Sequence, residues 1–242
     1  MNKMICLTNE EASHCKRGKE LVLVRLLASQ PPEGYEFDFY EDDTAVFREE
    51  QEVVPYLIDL PYILKQRIAL REPWAVYNYL GGTKVVYKSD INNRHDGHWQ
   101  SSATIPADAI RHWFIPEKFE VKRVQAIDIT EIYDMGIKFS FIYRTRATGT
   151  TSVQRHELLV VEALSKLKAY WNTHYAKPVK RNGERVCYPW DEDFIKQLLD
   201  MGCHYCGSVD IPNKDDGKWM YKRKQLTIHA NAYVLVMEGR VE

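Results

Sequence analysis

Three short runs concentrate the side chains that could do chemistry. Arg71-Glu72-Pro73-Trp74 sets a guanidinium, a carboxylate and an indole within four positions. Tyr87-Lys88-Ser89-Asp90 adds a phenol, an ammonium and a carboxylate, and Trp99 follows with Ser101 and Ser102. Aromatic faces beside cations are what stacking on a base and holding a phosphate require. For any one of these residues alone, the plain alternative is a tryptophan in the core with an Arg–Glu pair at its rim; the grouping is what points to binding. On the binding reading, Trp74, Tyr87 and Trp99 supply stacking surfaces or cleft walls, Arg71 and Lys88 contact phosphate or polar base edges, and Glu72 accepts from a base amine or orients Arg71. On a hydrolytic reading, Glu72 or Glu20 is the general base and Lys88 or Lys19 stabilises developing negative charge.

A fourth run, Cys203-His204-Tyr205-Cys206-Gly207, has the spacing of a metal knuckle. A structural zinc needs four ligands, which makes Cys187 the third and His229 or His204 the fourth. Reduced buried cysteines and a redox pair are the other two readings, and there is no second Cys-x-x-Cys. Five cysteines are odd in number and sparse, unlike a secreted disulfide framework, so a reducing, cytoplasmic setting is expected. No stretch approaches the roughly 18 apolar residues of a spanning helix, and the N-terminal residues lack an apolar leader core, so no membrane partner is expected. His95, Asp96 and His98 read as a polar loop.

Lys plus Arg number 33 against 34 for Asp plus Glu, and a net charge of -1 argues against a protein that binds nucleic acid simply by being basic. The average conceals a segregation. Between Pro31 and Leu60 stand ten acidic residues against Arg48 alone, a local charge of -9 that leaves +8 for everything else. Basic residues gather at Lys138, Arg144, Arg146 and Arg155, at Lys177, Lys180, Arg181 and Arg185, and at Lys218, Lys222, Arg223 and Lys224 around Trp219 and Tyr221. The acidic, aromatic stretch around Tyr35 to Tyr40 suits a second kind of partner, a host protein docked on the acidic segment.

The elements that must position these residues are strands mixed with helices, without regular βαβ alternation. Thr8 with Glu11 is a capping-box signal for a short helix. Glu20 to Leu27 and Ala232 to Glu238 read as strands, and Lys118 to Asp128 alternates as another. Ile137 to Thr145 is a further strand candidate. Prolines 55, 61 and 73 break Val53 to Tyr79 into short pieces. Asp128 to Gly136 is a short helix stopped by glycine, His156 to Tyr175 is the clearest helix, and Asp191 to Met201 is another. Pro31 to Glu52 reads as an inserted surface loop or hairpin.

The order of the motifs resembles a known family. Gly18…Arg25, Arg71-Glu72-x-Trp74, Tyr87-Lys88-Ser89-Asp90, Trp99-Gln100-Ser101-Ser102…Ile105-Pro106, Val124-x-x-Ile127-Asp128-Ile129-Thr130-Glu131…Gly136-Ile137, Tyr170-Trp171-Asn172, Trp190-Asp191 and Asn231-Ala232-Tyr233 together resemble the ASCH-like proteins of the PUA-like superfamily, common in phages and prophages. The resemblance runs from residue 5 to the end as a single domain over 1–242, with insertions at about 30–60 (acidic) and 192–229 (containing the Cys-x-x-Cys). It implies an α+β fold, a small mixed β-barrel with flanking helices, and a cleft for RNA, DNA or a modified nucleobase. It adds Arg25 to the ligand-binding set of Arg71, Glu72, Trp74, Tyr87, Lys88 and Trp99. Some similar proteins hydrolyse a nucleoside amide or RNA with a Lys and a Thr at the first strand; here Glu20 stands at the Lys position and Leu23 at the neighbouring Glu position, so that catalytic pattern is not matched.

Overall fold

The computed structural model describes residues 3–15, 18–90, 98–139, 152–191, 195–206, 218–222 and 224–242. The strand and helix signals resolve into a mixed α+β, strand-rich fold. By its contacts the chain forms two compact units, Met1–Lys122 with Asp128–Ser140 and Val234–Glu242, and Arg123–Ile127 with Phe141–Tyr233. Among the described residues, no helix is long and apolar enough to cross a membrane.

The first unit is built on five strands in the order β1 (Met4–Cys6), β6 (Ile68–Arg71), β9 (His112–Arg123), β15 (Tyr233–Val241) and β2 (Glu20–Leu26). β1 runs parallel to β6, while β6–β9 and β15–β2 are antiparallel. β2 is buried without alternation from Leu21 to Val24, as expected of a strand covered on both faces. Helices α1 (Asn9–His14) and α2 (Ile129–Asp134) pack against it. Leu21, Leu23, Ile68, Phe114 and Met237 lose all contact with solvent and form the centre of this core. The sheet keeps two edge strands, β1 and β2, so its described hydrogen-bonding order is open and not the closed barrel that the resemblance implies.

Both helices are short enough to depend on their caps, and both carry a full capping box, Thr8 with Glu11 and Asp128 with Glu131. Gly136 ends α2 at φ +82°, and a Cβ there would lie 2.5 Å from the Glu10 carbonyl oxygen, so only glycine fits. Glu11 is fully buried and receives both Arg25 amino groups, Nη1 to Oε1 at 2.6 Å and Nη2 to Oε2 at 3.1 Å. This pair fastens α1 to β2.

The acidic segment is neither a loop nor a lone hairpin. It forms a three-stranded antiparallel sheet of β3 (Glu36–Glu41), β4 (Thr44–Arg48) and β5 (Tyr56–Asp59), because Ala45, Val46, Phe47 and Ile58 bury an apolar centre while the carboxylates stay outside. Pro55, Pro61 and Pro73 separate β5, β6 and β7 (Trp74–Tyr79) as expected, and β7 pairs with β8 (Gly82–Tyr87) in a hairpin. β9 starts six residues before the expected Lys118 and ends at Arg123, where one turn of 3-10 helix follows. The Ile137–Thr145 candidate is not strand as far as Phe139, and its remainder lies outside the described residues.

In the second unit, α3 (Ser152–Tyr175) turns Ala163, Leu167, Tyr170 and Trp171 inward, and the Trp171 Nε1–H donates to the Tyr188 carbonyl at 2.7 Å. Its sheet has the order β10 (Val179–Arg181), β11 (Glu184–Cys187), β14 (Lys224–Ile228), β13 (Lys218–Tyr221) and β12 (Cys203–Cys206), with α4 (Ile195–Asp200) beside β12.

Removing the Arg25 side chain strands the buried Glu11 carboxylate. Arg25→Ala is expected to cost about 3 kcal/mol in urea unfolding monitored by circular dichroism. A loss of less than about 1 kcal/mol would show that the ion pair does not hold α1 on the sheet.

Candidate functional site

The residues singled out in the sequence are drawn together by one they did not include. β6 and β9 pair with Leu70 opposite His112 and Ala69 opposite Trp113, which brings the residue after β6, Glu72, beside Arg111. Glu72 is 1% exposed and its carboxylate is fully engaged: Arg111 donates from Nε to Oε1 at 2.8 Å and from Nη2 to Oε2 at 2.9 Å, and the Ser89 hydroxyl donates to Oε2 at 2.5 Å. Arg111 also grips Asp90, Nη1 to Oδ2 at 2.6 Å and Nη2 to Oδ1 at 2.9 Å. Its guanidinium lies 3.9 Å over the Tyr87 ring, whose hydroxyl donates to the Ala109 carbonyl. Cys15 sits within reach of this charge: burial first, then the Glu72 carboxylate, pushes its thiol up to about 12.

Arg111 and His112 form one wall of a cavity of about 660 Å³ completed by Gly18, Arg67, Trp113, Arg240, Val241 and Glu242. The volume is that of a small-molecule or nucleotide site. The Arg67 guanidinium stacks over the Trp113 indole at 4.5 Å and pairs with Glu242 at 3.1 Å, and Arg240 lies 3.6 Å from Glu117. Both pairs are more than half exposed on the arginine side, and such surface pairs contribute little, so an incoming anion can replace them. Burial holds the His112 imidazole below its ordinary pKa against the attraction of Glu72, 3.8 Å from Nε2. The cavity therefore offers an indole with Arg67 stacked on it, an imidazole, and three guanidiniums, two of them in exposed ion pairs.

Of the ligand-binding set, Glu72 and Tyr87 meet at Arg111. Glu72 orients Arg111 and not Arg71, whose Nη1 donates to the Ala103 carbonyl at 2.8 Å and whose Nε is buried without a hydrogen-bond partner. Trp74 is buried and donates from Nε1 to the Thr104 hydroxyl at 3.3 Å. Lys88 is exposed, with its backbone tied to the Pro73 carbonyl, and Trp99 is half-buried beside the Trp74–Gln100 bridge. Arg25 is engaged by Glu11 and by the carbonyls of Val24 and Cys6. Glu20 and Lys19 are exposed; Glu20 lines a separate cavity of about 190 Å³ with Glu117, Lys118, Asp134 and Glu238. What the sequence reading missed is Arg67, Arg111, His112, Trp113 and Arg240. The consecutive Arg111-His112-Trp113 has the same cation-and-indole composition as Arg71 to Trp74 and was the available signal.

The described cysteines lie elsewhere. Cys187 and Cys203 are buried in an apolar cluster with Ala176, Leu198 and Leu226. Burial, and then the neighbouring Cys203, pushes the Cys187 thiol up to about 12, and burial raises that of Cys203. These surroundings favour the neutral thiol. The Cys-x-x-Cys backbone is an extended strand paired with Lys218–Tyr221, where a knuckle needs a turn. The side chains of Cys206 and His204 lie outside the described residues, as do His95, Asp96, Arg144, Arg146, Arg155, Lys218 and Arg223. His229 is half-buried and its ring stacks on Tyr188. Among the described residues one acidic triad has metal-like spacing, Glu120, Glu131 and Glu238. Lys118 and Lys122 already bridge it, and Glu131 serves the α2 cap, which makes it a structural ion-pair network.

Comparison with known proteins gave no match to any family model, curated protein or solved structure.

The three raised thiols give a direct test. In a Cys6→Ser/Cys206→Ser variant at pH 8, Cys15, Cys187 and Cys203 are expected to stay silent to an aromatic disulfide reagent and to react together on adding denaturant. Rapid labelling of the native protein would place a thiolate where the apolar cluster forbids one.

Proposed function

We propose that this chain binds nucleic acid or a nucleotide through the cavity of Arg67, Arg111, His112, Trp113 and Arg240. The observation that carries the reading is the composition of that cavity: guanidiniums for phosphate, an indole face for a base, and a volume of about 660 Å³. The resemblance to ASCH-like proteins points the same way. On this reading, the five-stranded sheet with α1 and α2 corresponds to the family's small barrel, and the Glu72–Arg111 pair builds the cleft wall. Arg111 is largely neutralised by Glu72 and Asp90, so Arg67 and Arg240 provide most of the attraction for a phosphate.

Hydrolysis finds less support. A general base must reach its substrate and be basic, and Glu72 is buried, paired with the Arg111 guanidinium through both oxygens and hydrogen-bonded by Ser89.

Each arginine that meets a phosphate contributes about one to the slope of log K against log salt concentration. Arg67→Ala and Arg240→Ala are each expected to weaken binding of a single-stranded oligonucleotide about tenfold at 50 mM salt, in fluorescence anisotropy titrations, and to lower that slope by about one. Unchanged affinity and slope in the double variant would remove the cavity from the binding site.

A further inference from the structure

The three-stranded acidic sheet keeps one strand edge open. Its order is β3–β4–β5, so β5 has β4 on one side and, among the described residues, no strand on the other. The Leu60 N–H donates to the Asp43 carbonyl at 2.7 Å, one step beyond the Thr44–Asp59 pair. Hydrogen-bonded pairs alternate along an antiparallel ladder, so Ile58–Ala45 and Tyr56–Phe47 continue that series, while Leu57 and Asp59 turn their N–H and C=O groups away from β4. Pro55 and Pro61 bracket the strand and limit a guest to a short segment. The opposite edge, β3, is broken by a bulge between Phe37 and Phe39, a device that protects an edge, and β5 has none.

The side chains beside this edge are apolar and acidic. The register aligns Phe39, Val46 and Leu57 across the three strands on one face, and Leu57, at the open edge, is 55% exposed. Asp59, two residues further on, shares that face and is also exposed. Leading into β5, Val53 is 95% and Val54 70% exposed. They follow directly on a cavity of about 430 Å³ lined by Glu36, Asp38, Glu49, Glu50 and Glu52 with Arg48, and Arg48 is already paired with Asp38 at 3.1 Å. Apolar side chains in water beside an open strand edge form a surface for a partner. Charge selects which partner: ten acidic residues against one arginine between Pro31 and Leu60 repel a second copy of this sheet and nucleic acid alike, and attract a cationic chain.

We propose that β5 accepts a short, extended, basic segment of a partner protein by strand addition. The segment pairs through its backbone with Leu57 and Asp59. It sets an apolar side chain against Leu57 and, two residues away on the same face, a lysine or arginine against Asp59, and it directs a further cation to Glu49, Glu50 and Glu52. None of these residues lines the basic cavity, so the surface acts independently of whatever that cavity binds.

The probes are a panel of labelled peptides of about eight residues in which threonine alternates with lysine and valine, titrated against the full chain in fluorescence anisotropy. Peptides that carry both lysine and valine on one face are expected to bind, and to lose about tenfold in affinity when N-methylation at alternate residues removes their pairing N–H groups without changing their charge. Leu57→Lys, at an exposed edge position, should weaken binding about tenfold as well. Glu49→Gln/Glu50→Gln/Glu52→Gln should weaken it and flatten its dependence on salt. The N-methylated peptides are compared on the parent chain, so that result stands whether or not a substitution disturbs the sheet. Equal binding by the N-methylated peptides would reduce the interaction to charge alone and overturn strand addition. Absence of binding by every peptide of the panel would overturn the proposal, and so would a concentration-dependent dimer in sedimentation velocity that Leu57→Lys abolishes, because the edge would then belong to a second copy.

Discussion

A carboxylate with 1% exposure cannot stand alone, because the desolvation of an unpaired ion costs several kcal/mol, and Glu72 is such a carboxylate. Its partner Arg111 is 39 residues away in sequence, and the pair fastens the end of β6, the end of the β7–β8 hairpin and the start of β9 to one another. Ser89, Asp90 and Tyr87 all complete the same guanidinium, so the three nitrogens and the flat face of one side chain define the local architecture. The consequence for function is a division of labour. Arg111 is spent on structure and gives the cavity a fixed wall, whereas Arg240 is in an exposed pair and Arg67 is in an exposed pair and stacked on Trp113.

The same logic explains the cysteines and the acidic triad. Among the described residues, Cys187 and Cys203 pack in an apolar cluster, where burial disfavours a negative sulfur. Glu120, Glu131 and Glu238 converge, yet Lys118 and Lys122 already neutralise them. At the acidic triad, residue types that suggest a metal are satisfied by ion pairs within the protein. Charge segregation is likewise structural: the segment of -9 folds as its own three-stranded sheet, and none of its residues lines the basic cavity. The insertion does not contribute a wall that would close the site with its own carboxylates.

Much of the fold was legible because its signals are local. The capping box at Thr8, the glycine that stops α2, the apolar run of β2, the inward face of α3 and the proline-separated β5, β6 and β7 each depend on residues within a few positions of one another. Local signals failed where a segment found a partner from elsewhere. Pro31 to Glu52 lacks clear periodicity, yet Ala45, Val46 and Phe47 gain a core from Ile58 across β5. The Cys-x-x-Cys has the spacing of a metal knuckle, and its backbone is a strand paired with β13. Arg25 looked like a ligand contact, and the buried Glu11 claims it.

The amino-acid sequence by itself determined that strands and helices are mixed, roughly where β2, β15 and the helices lie, and that Glu72, Tyr87 and their neighbours form a polar and aromatic group. It also separated the acidic segment from the basic remainder. Only the tertiary structure decided which cations line the cavity. Arg67, Arg111 and Arg240 are far apart along the chain and isolated in composition, and they become one site because β6, β9 and β15 lie side by side in a single sheet. Hydrogen-bond pairing between distant strands carries no local periodicity, so the choice of partner for each buried charge, and with it the location of the cavity, is made only when the sheet assembles.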